Sequence, residues 1–403
     1  MLLPYAVFGT YGGMQSHVYS LSEQIALMGH DVLLIGENIG ANKSHIINGV
    51  KRIGIRTDSS AYANYFANFY SLMNISRQVE KIDAKEKFDV FHAHGAGGAL
   101  MALRSRSTSN KLIITSHHVS THFLSYVTKE YSVHNFNFKD GLTILSEKLL
   151  ARTGRYLYNQ ADYIIAVSKD TANDVHDTYK VKWDRITVIP NGINLETFYR
   201  NPNLKSKLIG TDDPLILFVA RWGAGDLSSF GKGLHYVVEA FAKVKKTFPN
   251  VKLAVVGEYN RESNYAQRIF HLCKELKLDS SVFFTNRLSN DDDVREYYAS
   301  ADVFVFSSIY EGFGMTLLEA MASSLPVIAS KGPHLPASDL IENDVTGLLY
   351  HAGNVSQLSE AIIRVLNDRK LAEKLGTNAK TYVEKFFNWR IVAERTLKIY
   401  GSA

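Results

Sequence analysis

Glu311 and Glu319 stand eight positions apart in the stretch YEGFGMTLLEAMA, with Gly312, Phe313 and Gly314 between them. Carboxylates are good acceptors for vicinal sugar hydroxyls. Glycines at a corner let the backbone take positive φ or let a ligand approach closely. The preceding run, ADVFVFSS, is apolar and rich in β-branched and aromatic residues, which predicts a strand buried on both faces. MTLLEAMA is made of strong helix formers. Glu311 therefore falls on a loop at a strand's carboxyl edge, and Glu319 about one turn into the next helix. Phe313, Gly314, Met315 and Thr316 lead into that helix, and free backbone N–H groups there suit a phosphate. Glu319 has a second reading, because Thr316-Leu-Leu-Glu319 also fits a capping box that needs no ligand.

Two cations occupy comparable corners. Arg221 ends the run LILFVAR, and Lys232 opens the predicted helix KGLHYVVEAF. A lysine at a helix N-terminus opposes the macrodipole, so a diphosphate held by both cations explains it better than solvent does. Tyr11-Gly12-Gly13-Met14-Gln15 follows the first strand and starts a helix. It serves equally as a phosphate turn or as an ordinary corner, and it lacks the G-x-G-x-x-G of a dinucleotide site. His117 closes KLIITSHH, where a histidine either touches substrate or is structural. His92 and His94 lie two apart in HAHGAGG, yet no Cys or carboxylate completes a recognisable metal set. The triplet Asp291-Asp292-Asp293 precedes a helix and is read as helix-start acids. No metal is expected.

Elements that would position these residues alternate along both halves of the chain. Strand-like runs (LPYAVFG, DVLLIGE, FDVFHAH, KLIITSHH, YIIAVS, ITVIPNG) are followed, after a polar stretch, by LILFVARW, VKLAVVGE, SVFFT, DVFVFSS, PVIAS and TGLLY. Strands separated by helices predict parallel sheets, and 403 residues exceed what one core serves. The expected architecture is α/β: two doubly wound Rossmann-like domains facing each other across a cleft, with ligands at the carboxyl ends of the strands. The first domain spans 1–196 and is joined by a terminal helix at 385–403; the second spans 211–384, and 197–210 is the linker.

Composition narrows the function class. The balance of 45 Lys and Arg against 40 Asp and Glu leaves +5, which suits small anions or an acidic membrane surface. No basic or aromatic array resembles a nucleic-acid platform. The single Cys273 excludes an intramolecular disulfide and fits a reducing compartment. No apolar run is long enough to cross a bilayer, and MLLPYAVFGTYGG lacks a charged n-region. The expected location is cytoplasmic. Lys148, Arg152 and Arg155 on one helix face, with the basic stretch 104–111, read either as a solvated surface or as peripheral membrane contact.

The pattern E-G-F-G-x(4)-E-A-M-A, together with GGMQSHVYSLSEQIALMGHDV, FDVFHAHG, TSHH, ADYIIAVS, VIPNGIN, VAR, KGL, PVIAS and TGLLY in that order, resembles the retaining glycosyltransferases of family 4, which have the GT-B fold. The resemblance covers nearly the whole chain. It implies a UDP- or GDP-sugar donor bound mainly by the second domain, a glycan or lipid-linked acceptor, and no metal cofactor. By the family pattern Gly13, beside Gly12, approaches the distal phosphate, Arg221 and Lys232 hold the diphosphate, and Glu319 accepts from the ribose hydroxyls. Glu311 would contact the donor sugar, as would His117, which matches T-x-H. Backbone N–H groups from Phe313 to Thr316 would add phosphate contacts. Three features depart from the pattern: the long WGAGDLSSFG between Arg221 and Lys232, Ser324 in place of a common glycine, and Pro4 inside the first strand, which is expected to begin late. A sugar-nucleotide epimerase or phosphorylase and a non-catalytic binding protein are the rival readings. The aromatic stretch 121–138 is the expected acceptor loop.

Overall fold

Short β-branched and aromatic runs cannot satisfy their backbone groups alone, and here they pair into two parallel sheets covered by helices. The computed structural model describes residues 1–6, 13–39, 42–57, 65–103, 105, 110–119, 152–222, 226–286, 288 and 291–401. The described residues up to Gly192, with those from Trp389 onward, make one compact unit; Ile193–Asn388 make the other. Gly12 and the stretch 121–138 lie outside the described residues.

The first unit holds β1 (Leu2–Ala6), β2 (Leu33–Ile39), β3 (Lys43–Ile47), β4 (Val50–Thr57), β5 (Val90–His94), β6 (Lys111–Ser116), β7 (Tyr163–Ala166) and β8 (Ile186–Val188). They lie in the order β3-β4-β2-β1-β5-β6-β7-β8, all parallel except β3 against β4. Helices Gly13–Leu27 and Trp389–Gly401 bury Leu21, Ile25, Trp389 and Val392 against Ile113 and Ile165 on one face. Tyr65–Glu86 and Gly95–Ala102 bury Ile75, Val79 and Met101 against Leu2, Ile35 and Ile114 on the other.

Three features of this unit differ from the sequence reading. Helix Tyr65–Glu86 was not foreseen, because its first half (YFANFYSLMN) is dominated by aromatic and Asn residues that form helices weakly. The exposed edge strand β3 was also missed. Its hairpin turns on Asn48-Gly49, both at positive φ, which is the chemistry of a type I′ turn. The first strand begins at Leu2 rather than late. Its pairing with β2 is irregular between Leu3 and Ala6, the interval that holds Pro4, so the residue without an N–H falls where the ladder breaks.

The second unit holds β9 (Leu215–Val219), β10 (Lys252–Val256), β11 (Val282–Thr285), β12 (Val303–Phe306), β13 (Val327–Lys331) and β14 (Leu348–His351). They are all parallel, in the order β11-β10-β9-β12-β13-β14. Strand order reverses at β9 and β12, which makes their carboxyl ends the topological switch point where open α/β sheets take ligands. Residues 197–210 are tied to this unit. Asn201 N–H and the Arg200 guanidinium both donate to the Ala299 carbonyl, and Lys205 Nζ lies 2.6 Å from Asp302. Ser324 sits at φ +55, the left-handed region, which is why a glycine suits that position in the family pattern.

Candidate active site

In the second unit, β12 runs out at Phe306 and the chain turns through Gly312, Phe313 and Gly314 into helix Met315–Ala322. Gly314 is the N-cap, at φ 95, and a Cβ there would press on the Phe306 ring at 3.1 Å. No side chain caps this helix. Thr316 lies inside the first turn, so the capping-box reading of Thr316 and Glu319 is overturned. Glu319 instead accepts a hydrogen bond from Tyr298 Oη at 2.8 Å. Burial, with the Glu319 charge beside it, pushes the Tyr298 phenol well above its usual range and so keeps it a donor.

Lys232 does not open its helix as expected. Helix Leu234–Thr247 begins two residues later behind Gly233, the N-cap at φ 71. A Cβ on Gly233 would run into the Ser307 carbonyl oxygen, so this turn closes only on glycine. Ser307 Oγ donates to the carbonyls of Lys232 and Gly233 at 2.9 and 3.1 Å, which fastens the turn to the end of β12. Lys232 Nζ thereby reaches Glu311 Oε2 at 2.6 Å, and Glu311 N–H donates to the His334 carbonyl. The two side chains are 32% and 21% exposed, within reach of solvent and of an incoming anion. Arg221 lies two residues past β9 and pairs with Glu258 at 3.4 Å. Lys232 and Glu311 are thus brought together, while Arg221 has a different partner.

In the first unit, Gly13 is the first residue of its helix. His117 follows β6, and its Nε2 lies 3.2 Å from His94 Nδ1 at the end of β5. His17 stands edge-on to both rings, with centroids 4.9 Å from His117 and 5.5 Å from His94. His92 bonds the Tyr400 hydroxyl and Thr115 Oγ1, each at 2.6 Å. Burial lowers the His17 pKa to about 4. Burial, and then repulsion from neighbouring histidines (His92 first for His94, His17 first for His117), hold His94 and His117 well below the ordinary imidazole value.

The sequence reading did not single out His17. Its only signal is its place four residues after Gly13, on the same helix face as the glycine corner. Glu37, two residues before the end of β2, was missed as well. It is buried with Oε1 unpartnered, and desolvation raises its pKa to about 7. Arg152 and Arg155 are exposed on a described helical stretch, and Lys148 lies outside the described residues. No helix among the described residues is long and apolar enough to cross a membrane.

Comparison with known proteins defines the class. The model of glycosyltransferase family 4 matches residues 11–197, and that of glycosyl transferases group 1 matches residues 200–382. With two Rossmann-like parallel sheets beneath those matches, the chain belongs to the family 4 glycosyltransferases of GT-B fold.

Among its relatives, an uncharacterized glycosyltransferase of Methanocaldococcus jannaschii is 27% identical, over 97% of this chain and 95% of its own. The phosphatidylinositol N-acetylglucosaminyltransferase gpi3 subunit of Schizosaccharomyces pombe is 23% identical, over 97% of this chain and 78% of its own. HepE of Anabaena, solved with UDP and glucose, superposes with a TM-score of 0.75 at 18% identity, over 98% of this chain and 97% of its own.

Proposed function

We propose that this glycosyltransferase moves a hexose-type sugar from a nucleotide-diphosphate sugar to a glycan or lipid-linked acceptor, with retention of anomeric configuration and without a metal. The observation that carries the reading is the 2.6 Å pair of Lys232 and Glu311 at the β12 edge, beside the N-terminus of the helix that carries Glu319. A donor diphosphate draws Lys232 away from Glu311, and the released carboxylate turns to the sugar hydroxyls. Glu319, held by Tyr298, accepts from the ribose diol at the other end of the nucleotide. The Met315 helix N-terminus and Arg221 complete the neutralisation of the diphosphate. Gly13 is assigned to the distal phosphate, and His117 to the donor sugar.

The bond from the anomeric carbon to the diphosphate oxygen breaks, and its electron pair leaves with the nucleotide. Lys232 stabilises the departing charge. The acceptor hydroxyl attacks the oxocarbenium-like carbon from the same face and passes its proton to the diphosphate. UDP is the favoured nucleotide, in line with HepE, and a lipid-linked acceptor is in line with the phosphatidylinositol enzyme. The test is turnover of UDP-sugars in excess EDTA with assignment of the product anomer. Undiminished turnover and a product with the donor's anomeric configuration are expected. Turnover lost to EDTA and restored only by Mg²⁺ or Mn²⁺, or an inverted product, would defeat it.

A further inference from the structure

The three histidines of the first unit carry an inference that does not depend on the donor chemistry. His17 comes from helix Gly13–Leu27, His94 from the end of β5 and His117 from the residue after β6. One ring nitrogen from each lies within 4.8 Å of the others. Neither ring nitrogen of His17 meets a partner at hydrogen-bonding geometry, although the ring is buried and the Asn191 side chain stands near it. A polar group taken out of water without a partner costs stability, so idle nitrogens in a core call for an occupant. The edge-on ring packing around His17 does not provide one.

We propose that His17, His94 and His117 form a binding site for a late first-row divalent ion such as Zn²⁺. Two imidazoles on one tetrahedral ion, with bonds of about 2.0–2.1 Å, stand roughly 3.3–3.4 Å apart. The 3.2 Å spacing of His94 Nδ1 and His117 Nε2 already matches one edge of that tetrahedron. His17 closes the set by moving on the order of 1 Å. Ligation requires the neutral ring, and burial keeps all three neutral at physiological pH. Among the described residues no carboxylate belongs to the group, so it suits imidazole-seeking ions and not Mg²⁺ or Ca²⁺. Three protein ligands leave a fourth position open. Binding stands apart from the proposed function; on that reading, which places His117 on the donor sugar, occupancy lowers transfer.

Cobalt titration of the metal-free full-length chain tests the site without reference to activity. The visible absorption of the ion is read beside the fluorescence of Trp389, whose ring stands 5.3 Å from His17. One equivalent per chain is expected, with ligand-field bands, quenched Trp389 emission, and loss of both on adding zinc. Loss of a supporting residue alone weakens metal sites by about 10–100-fold, so His94→Gln or His17→Gln should weaken binding by on the order of a hundredfold or more. Wild-type protein that takes up no stoichiometric cobalt or zinc overturns the proposal. So do folded variants that bind as tightly as wild type, which would put the ion on surface histidines. If both variants fail to fold, Trp389→Phe decides instead: quenching must disappear with that ring, and quenching that persists overturns the site.

Discussion

The carboxyl edges of the two sheets are built on opposite electrostatics. In the second unit the candidate groups are charged and partly exposed: Lys232 against Glu311, and Arg221 against Glu258. In the first they are neutral rings, His17 and His94 buried and His117 partly so. An exposed ion pair contributes only about 0–1 kcal/mol, so its lysine is readily exchanged to a polyanion. A buried imidazole held below its ordinary pKa keeps a lone pair available and repels cationic protonation. On the proposed function, side-chain neutralisation of charge falls to the second unit, and the first contributes imidazole contacts and the Gly13 corner.

The sharpest way to break this comparison is to remove the charge. Lys232→Ala should cut transfer on the order of a hundredfold or more, because nothing then neutralises the departing diphosphate at that point. Near-normal turnover under saturating donor would mean that the long stretch after Arg221 has moved the phosphate site elsewhere.

The matching change in the first unit should be smaller and of a different kind. His117→Ala is expected to lower transfer about tenfold, the worth of one hydrogen bond to the sugar, with the affinity for free UDP unchanged. A larger loss in His118→Ala would show that the histidine of the T-x-H pattern is not the one in use.

Acid separates the two regions more gently. His17 titrates near 4 in the folded chain and near 6.5 when unfolded. Above pH 6.5 the ring is neutral in both states, and its contribution is fully present. As pH falls from 6.5 toward 4, the unfolded chain takes up a proton that the folded one refuses, at a cost of about 3 kcal/mol by the lower limit. Melting temperatures from pH 7 to pH 4.5 should fall, and they should fall less steeply in His17→Gln. Parallel slopes in the two proteins would refute the assignment.

How much of this was legible from sequence depends on how local each feature is. Glu311, the glycines and Glu319 lie within one strand-turn-helix, so their spacing alone placed them at a strand's carboxyl edge. The second sheet was read strand by strand, because each strand is a short apolar run that ends at a corner. The Lys232–Glu311 pair joins residues 79 apart, brought together by the Ser307 clasp and by the Ile309 N–H bond to the Gly231 carbonyl. The histidine cluster draws on a helix and two strand ends, with no shared spacing to announce it. Helix Tyr65–Glu86 escaped because its amino half is poor in helix formers, and the edge strand β3 because the Asn48-Gly49 signal was passed over. The capping box failed for a specific reason: Gly314 already occupies the cap, so a matching motif stood two residues out of place.

The central claim is that the second unit grips a nucleotide diphosphate at both ends, with Glu319 on the ribose. Calorimetric titration of UDP into wild-type and Glu319→Gln protein tests it most directly, alongside a melt of each unliganded chain. An ionised carboxylate accepts from both ribose hydroxyls, whereas an amide offers one acceptor atom. The variant should therefore bind UDP more weakly by roughly 1–3 kcal/mol, at an unchanged melting temperature, since no cap is lost. Equal UDP affinity in the two proteins would contradict the account.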